Sequence, residues 1–143
     1  MAIWFKSYTL EEIKKRGLGT LVETLGIEIT ELDDESITGT MPVDHRTKQP
    51  AGILHGGASV ALAESLASLA ANIVVDSSIS ACVGLEINAN HISSVTGGFV
   101  TGVAKPLHLG RSTQVWEIKI HQGDRLVCVS RITLAIIEKK NRK

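Results

Sequence analysis

The chain has 143 residues, 43% of them hydrophobic and 21% charged; this fits one domain over 1–143 with a core of its own and excludes a disordered or fibrous protein. Fifteen Lys plus Arg balance fifteen Asp plus Glu, which argues against a non-specific nucleic-acid binder and leaves self-association unopposed by net charge. Aromatic residues make up 3%; Trp4, Phe5, Tyr8, Phe99 and Trp116 are too few and too scattered for a base-stacking platform, so the core is expected to be aliphatic.

Thr9 is a suitable N-cap for a helix over Leu10 to Arg16, with acids early and bases late, and Gly17 ends it. A second helical turn is expected from Thr20 to Leu25, before Gly26. Apolar residues then alternate from Ile27 to Leu32 and from Ile37 to Val43 around Asp33-Asp34-Glu35-Ser36, the pattern of a β-hairpin whose second strand ends or meets an edge at Pro42. A polar loop from Asp44 to Gly57 leads into a long Ala- and Leu-rich helix from Ala58 to Val75. This apolar stretch approaches membrane-span length, but Glu64 near its middle would cost about 2.5 to 3.5 kcal/mol on insertion, so a buried helix with no membrane partner is expected.

Four strands follow in meander-like succession. Ile79, Ala81, Val83, Leu85, Ile87 and Ala89 share one expected face of the first, with His91 continuing that face; Phe99 to Leu107 forms the second. Trp116, Ile118 and Ile120 oppose Glu117, Lys119 and His121 in the third. Leu126 to Ile137 forms the fourth, after a turn at His121-Gln122-Gly123-Asp124. The tail Glu138 to Lys143 is expected to be solvated. A helix that is apolar nearly all round needs a sheet wrapped about it, which predicts an α+β fold with one helix held in a curved antiparallel sheet.

Nucleophile-elbow, P-loop, dinucleotide-binding and zincin motifs are absent. Cys82 and Cys128 show neither C-x-x-C spacing nor a zinc-binding Cys/His cluster and are expected to be reduced thiols in a cytoplasmic protein. The N-terminus lacks the apolar stretch of a signal peptide. Between Lys48 and Asp76 the ionisable side chains are His55 and Glu64. Glu64 lies among Ala61, Leu62, Ala63, Leu66 and Ala67, where a carboxylate either pairs with a base such as Arg46 or Arg131 or serves as a reacting group. Ahead of it, His55-Gly56-Gly57 opens the helix, and uncovered N–H groups there suit a developing oxyanion, although such glycines also occur without function. Gln49 either donates its amide to a water or carbonyl, or faces solvent. Asn88, Asn90, Ser93 and Ser94 cluster at the end of the strand that carries His91. His108-Leu109-Gly110-Arg111-Ser112-Thr113 suits a phosphate or a plain hairpin loop.

The stretches Met41 to Pro50, Leu54 to Val60, Leu62 to Ser65, Val83 to His91 and Lys105 to Gly110 together closely resemble the bacterial hotdog-fold acyl-CoA thioesterases. Within them the resemblance is to the branch that hydrolyses 1,4-dihydroxy-2-naphthoyl-CoA in menaquinone synthesis and to the enterobactin-proofreading thioesterases. It implies that Glu64 is the catalytic nucleophile or base and that the Gly56 N–H polarises the thioester carbonyl, assisted by His55 and Gln49. Ser68 is implied to hold water or the acyl group. Gly84, the run His91, Ile92, Ser93 and Ser94, and the run His108, Leu109, Gly110, Arg111, Ser112 and Thr113 are implied to contact coenzyme A. The acyl site would lie between subunits of a homodimer that assembles into a homotetramer, with no metal or redox cofactor. Ala51 stands where relatives often carry a bulkier apolar residue, which bears on the size of the acyl pocket.

Overall fold

The computed structural model describes residues 1–140. Its elements, in chain order, are α1 (Leu10–Lys15), α2 (Leu21–Thr24), β1 (Glu28–Leu32), β2 (Ile37–Pro42), α3 (Gly56–Val74), β3 (Ser80–His91), β4 (Phe99–Leu109), β5 (Thr113–Gln122) and β6 (Arg125–Glu138). All six strands join one antiparallel sheet in the order β1-β2-β4-β5-β6-β3. Only β4 to β6 form a meander. β4 pairs with β2 across the α3 crossover, which sends β3 to the far edge beside β6.

Local chemistry accounts for most boundaries. Thr9 caps α1 reciprocally with Glu12, each side chain taking the other's backbone N–H. Pro42, which has no N–H to extend a ladder, is the last residue of β2; it pairs with Phe99 of β4 and lies beyond the ladder to β1, which stops at Thr40. Gly123, at φ 56°, takes the first corner of the two-residue turn between β5 and β6.

α3 starts two residues earlier than the Gly-Gly pair suggests. His55 is its N-cap, and Gly56 and Gly57 form its first turn. The helix is long and apolar enough to cross a membrane by length and composition, but Leu62, Ala63, Leu66, Ala67, Ala70 and Ile73 are fully buried in the core. Gly39 of β2 and Gly102 of β4 let Leu66 lie directly on the strands: a Cβ at either would come within 2.7 or 2.8 Å of a Leu66 methyl. No glycine caps the C-terminus of α3. Its carbonyls are taken by the rest of the fold instead, Ala71 by the Gln114 amide at 3.4 Å and Ile73 by the Phe5 N–H at 2.8 Å.

The N-terminal residues form a strap over the same end. Ile3 N–H binds Asp34 C=O, the Trp4 indole N–H binds Asp33 C=O, and the Trp4 ring stacks on fully buried Trp116 with centroids 6.4 Å apart. Two of the scattered aromatics thus meet in space.

β3 departs from simple alternation. A bulge between Gly84 and Glu86 inserts Leu85, and the faces exchange across it. Before the bulge Cys82 is buried while Val83 points outward, 43% exposed; after it Ile87 and Ala89 pack on the core. The expected common face of Ile79, Ala81, Val83, Leu85, Ile87 and Ala89 is therefore split, with Ile79 and Leu85 each 62% exposed. At the C-terminus, Glu138 to Lys140 are exposed, although Glu138 still belongs to β6 and Lys139 N–H binds Ile79 C=O; Asn141 to Lys143 lie outside the described residues.

Candidate active site

The polar loop before α3 is folded on itself. Lys48 and Leu54 form an isolated bridge, and the Gln49-Pro50-Ala51-Gly52 turn closes with Gly52 N–H on Gln49 C=O at 2.9 Å. Gly52 sits at φ 79°, where an L side chain would be strained. Inside this turn the Gln49 Oε1 accepts the Ala51 N–H, which leaves the Gln49 amide NH₂ to donate. Ala51 is exposed at the tip of the turn.

At the helix start, His55 Nδ1 accepts the Gly57 N–H at 2.8 Å, and His55 C=O accepts from Ala58 and Ser59. Acceptance at Nδ1 sets the neutral Nε2–H tautomer of His55. The Gly56 N–H has no partner among the described residues and is the donor that an oxyanion would need. His91, expected to continue the apolar face of β3, is exposed at the end of that strand and lies against Gly56: a Cβ there would be 2.9 Å from His91 Nε2. Gln49, Gly56, His91, Ile92, Ser93 and Ser94 converge on a cleft of about 350 Å³. Buried Ser59, also in this wall, was missed in the sequence; its one signal is its place a turn beyond Gly56.

His55 itself is turned the other way. With Arg46, Lys48 and Leu25 it lines a separate hollow of about 310 Å³ on the opposite side of the helix start. Arg46 is committed to Asp44, 2.7 Å from Nη2 to Oδ2. Its side chain and backbone N–H both donate to the Asp44 carboxyl and push it down to about 2.

Glu64 is half-buried, two turns into α3, and makes no ion pair or hydrogen bond among the described residues. Neither Arg46 nor Arg131 pairs with it. Its Oε1 rests against the backbone of Gly84, 3.0 Å from where a Cβ would stand. Ser68, one turn on, opens into a third pocket of about 360 Å³ with Ser65, Leu69, Asn72 and Arg16. The His108 to Thr113 segment is the β4–β5 turn, closed by Gly110 N–H on Thr113 C=O at 2.9 Å, with Arg111 exposed. It does not line the Gly56 cleft. Among the described residues no group of three or more His, Cys, Asp or Glu side chains is placed to hold a metal ion.

A single long helix wrapped by one antiparallel sheet is the hotdog architecture. Residues 51–129 match the thioesterase superfamily, and the chain belongs to that family. It is 50% identical over 136 residues to the 1,4-dihydroxy-2-naphthoyl-CoA hydrolase of Escherichia coli, covering 94% of this chain and 99% of that one. With the proofreading thioesterase EntH of Cronobacter turicensis it shares 49% identity, over 94% of this chain and 98% of the relative. The crystal structure of a mutant thioesterase from Pseudomonas aeruginosa superposes with a TM-score of 0.94 at 45% identity, covering 96% of this chain and all of that one. A thioesterase from Haemophilus influenzae superposes at 0.93, with 46% identity and 99% of each chain covered. The hotdog fold and thioester hydrolysis therefore apply to this chain.

Proposed function

We propose that this thioesterase hydrolyses acyl-CoA thioesters with aryl acyl groups, of the 1,4-dihydroxy-2-naphthoyl or benzoyl type, with fatty acyl-CoA as a further class. The observation that carries this reading is the Glu64 carboxylate, which sits half-buried on α3 without a partner among the described residues. A thioester carries a good leaving group, so one carboxylate and a polarised carbonyl suffice without a serine or cysteine nucleophile.

The Gly56 N–H binds the carbonyl oxygen as charge builds on it, and the Gln49 amide donates beside it. His55 assists by holding the first turn of the helix. Glu64 either attacks the carbonyl carbon, giving a mixed anhydride and coenzyme A thiolate that water then resolves, or takes a proton from the water that attacks. Ser68 and its pocket receive the acyl group. The hydroxyls of Ser65 and Ser68 suit a hydroxylated ring. The acyl group named for the Escherichia coli relative is of this kind, and a place in menaquinone synthesis follows as part of the proposal.

Gly56 and Glu64 are eight residues apart on one helix, about 12 Å along its axis. No single carbonyl touches both, so the complete site takes Gly56 from one copy and Glu64 from another. Edge strand β3, with no strand pairing its outer edge beyond Cys82 and with Val83 and Leu85 exposed, is the surface through which two copies join. Pairs of such dimers form the tetramer. Gly84, His91 to Ser94 and His108 to Thr113 are assigned to coenzyme A, with Arg111 toward a phosphate.

The test is thiol release from benzoyl-CoA and 1,4-dihydroxy-2-naphthoyl-CoA by Glu64→Gln, expected to fall by several orders of magnitude in a folded protein. Near-normal turnover would remove Glu64 from the chemistry. A single turnover in heavy-oxygen water separates the two routes, because the first product takes an oxygen from Glu64 only if an anhydride forms.

A further inference from the structure

Glu64, Ser68 and Asn72 follow one another at four-residue spacing and so lie on one stripe of α3. The far end of the stripe is tied to β3. Asn72 Oδ1 accepts the Cys82 N–H at 2.9 Å, and Asn72 Nδ2 donates to Cys82 C=O at 3.1 Å and to Ser68 C=O at 2.9 Å. A carboxamide that takes both backbone groups of one residue does the work of a neighbouring strand, and it closes the edge of β3 at Cys82 on the side away from β6. The Cys82 side chain is held as well, with Sγ 3.4 Å from Ala71 C=O and 3.7 Å from the Gln114 amide. Among the described residues, the bonds from Asn72 and from the Cys82 thiol are the only hydrogen bonds between α3 and β3.

Two residues beyond this latch, Gly84 meets the Glu64 carboxylate. The bulge at Leu85 follows at once and releases the strand from its earlier alignment. The gap in which Glu64 lies is thus bounded by a strand that is fastened to the helix at one nearby point.

We propose that Asn72 is a positioning residue of the thioesterase: by latching β3 to α3 at Cys82 it sets the spacing at Gly84 and thereby the place of the Glu64 carboxylate. This rests on the reading of Glu64 as the reacting carboxylate. A displacement near 1 Å costs about a hundredfold in rate, so loosening the latch acts on turnover more than on substrate binding.

Asn72→Ala is compared with wild type in thiol release from benzoyl-CoA, with thermal melting measured alongside. The expected result is a kcat lower by roughly ten- to a hundredfold with KM within about twofold. Asn72→Asp keeps an acceptor for the Cys82 N–H but loses the donor to both carbonyls, and is expected to lose kcat in the same direction; it decides the matter if Asn72→Ala does not fold. Ser36→Ala, at a buried hydroxyl in the β1–β2 turn, serves as the destabilised control and retains wild-type kcat. Wild-type kcat in a folded Asn72 variant, or a loss borne wholly by KM, overturns the proposal. Glu64→Gln run in parallel separates the two readings. If that variant turns over normally the role of Glu64 fails, whereas an inactive Glu64→Gln beside a fully active Asn72→Ala refutes the latch alone.

Discussion

Replacing Gly84 with alanine separates stability from activity at a single atom. Gly84 does not adopt a positive φ, so alanine takes its backbone conformation without strain. The new Cβ would stand 3.0 Å from Glu64 Oε1, and the next neighbour, Ile132 Cδ1, is 3.9 Å away. Ordinary contact begins near 3.4 Å, so the carboxylate must withdraw by about 0.4 Å. Restricting the unfolded chain stabilises the fold by about 0.4–1 kcal/mol, a rise in Tm of about 1–3 °C for a domain of this size. If 1 Å costs about a hundredfold, a 0.4 Å retreat costs roughly five- to tenfold in kcat, about 1–1.4 kcal/mol of barrier. Thiol release under saturating and limiting benzoyl-CoA, with a melting curve for each protein, measures both quantities. Unchanged kcat and KM in a folded Gly84→Ala protein would refute the placement of the reacting carboxylate. A raised KM at constant kcat would instead assign Gly84 to coenzyme A.

Gly56→Ala brings a Cβ within 2.9 Å of the His91 ring; kcat/KM is expected to fall at least tenfold, and Gly56→Ala with His91→Ala to recover part of it, whereas no recovery would show that the ring is not the obstacle. His55→Ala removes the acceptor of the Gly57 N–H and is expected to cost about 1 kcal/mol of stability, which His55→Asn restores; equal melting of all three proteins would contradict the cap. The Asp44 carboxyl is held at about 2, against 3.8 for an ordinary aspartate, chiefly by hydrogen bonds from the Arg46 side chain and then its backbone N–H. A depressed carboxyl adds stability that is fully present above about pH 4 and is lost as pH falls through about 2. Denaturant unfolding of wild type and Asp44→Asn should therefore converge between pH 4 and pH 2, and a constant difference across that window would refute the pairing.

The elements whose signals are local were legible. Thr9 and the charge order of α1, the β1–β2 hairpin and the turn before β6 all follow from neighbouring residues. Two differences between local pattern and structure have one cause, that neither a glycine pair nor alternation has a fixed meaning on its own. Gly56 and Gly57 read as a helix boundary, yet His55 caps them from outside and makes them the first turn. Alternation in the β3 sequence runs straight through Gly84, where a bulge shifts the register by one residue and exchanges the faces. Strand order also lay beyond local pattern, because the choice of β2 or β3 as the neighbour of β4 is made by tertiary pairing.

At the site, Glu64 and Gly56 stand out from sequence because a charge in an apolar helix and an uncovered helix start are anomalies in themselves. Asn72 does not: a single amide in an alanine-rich run has no local meaning until its partner, the backbone of Cys82, is brought beside it. The family motifs named His55 but not the direction of its ring, which is set by the Gly57 N–H.

The N-terminal strap bears on how the molecule is made. Trp4 leaves the ribosome well ahead of its stacking partner Trp116, which is synthesised more than a hundred residues later. Asp33, Asp34 and Ile73, the other anchors of the strap, come between them. For most of translation this tryptophan has no finished surface to rest on, and this end of the core is sealed only after β5 has emerged. Met1 remains wholly exposed in the completed fold, so a peptide fused ahead of it leaves the seal intact, while deletion through Trp4 uncovers the indole of Trp116.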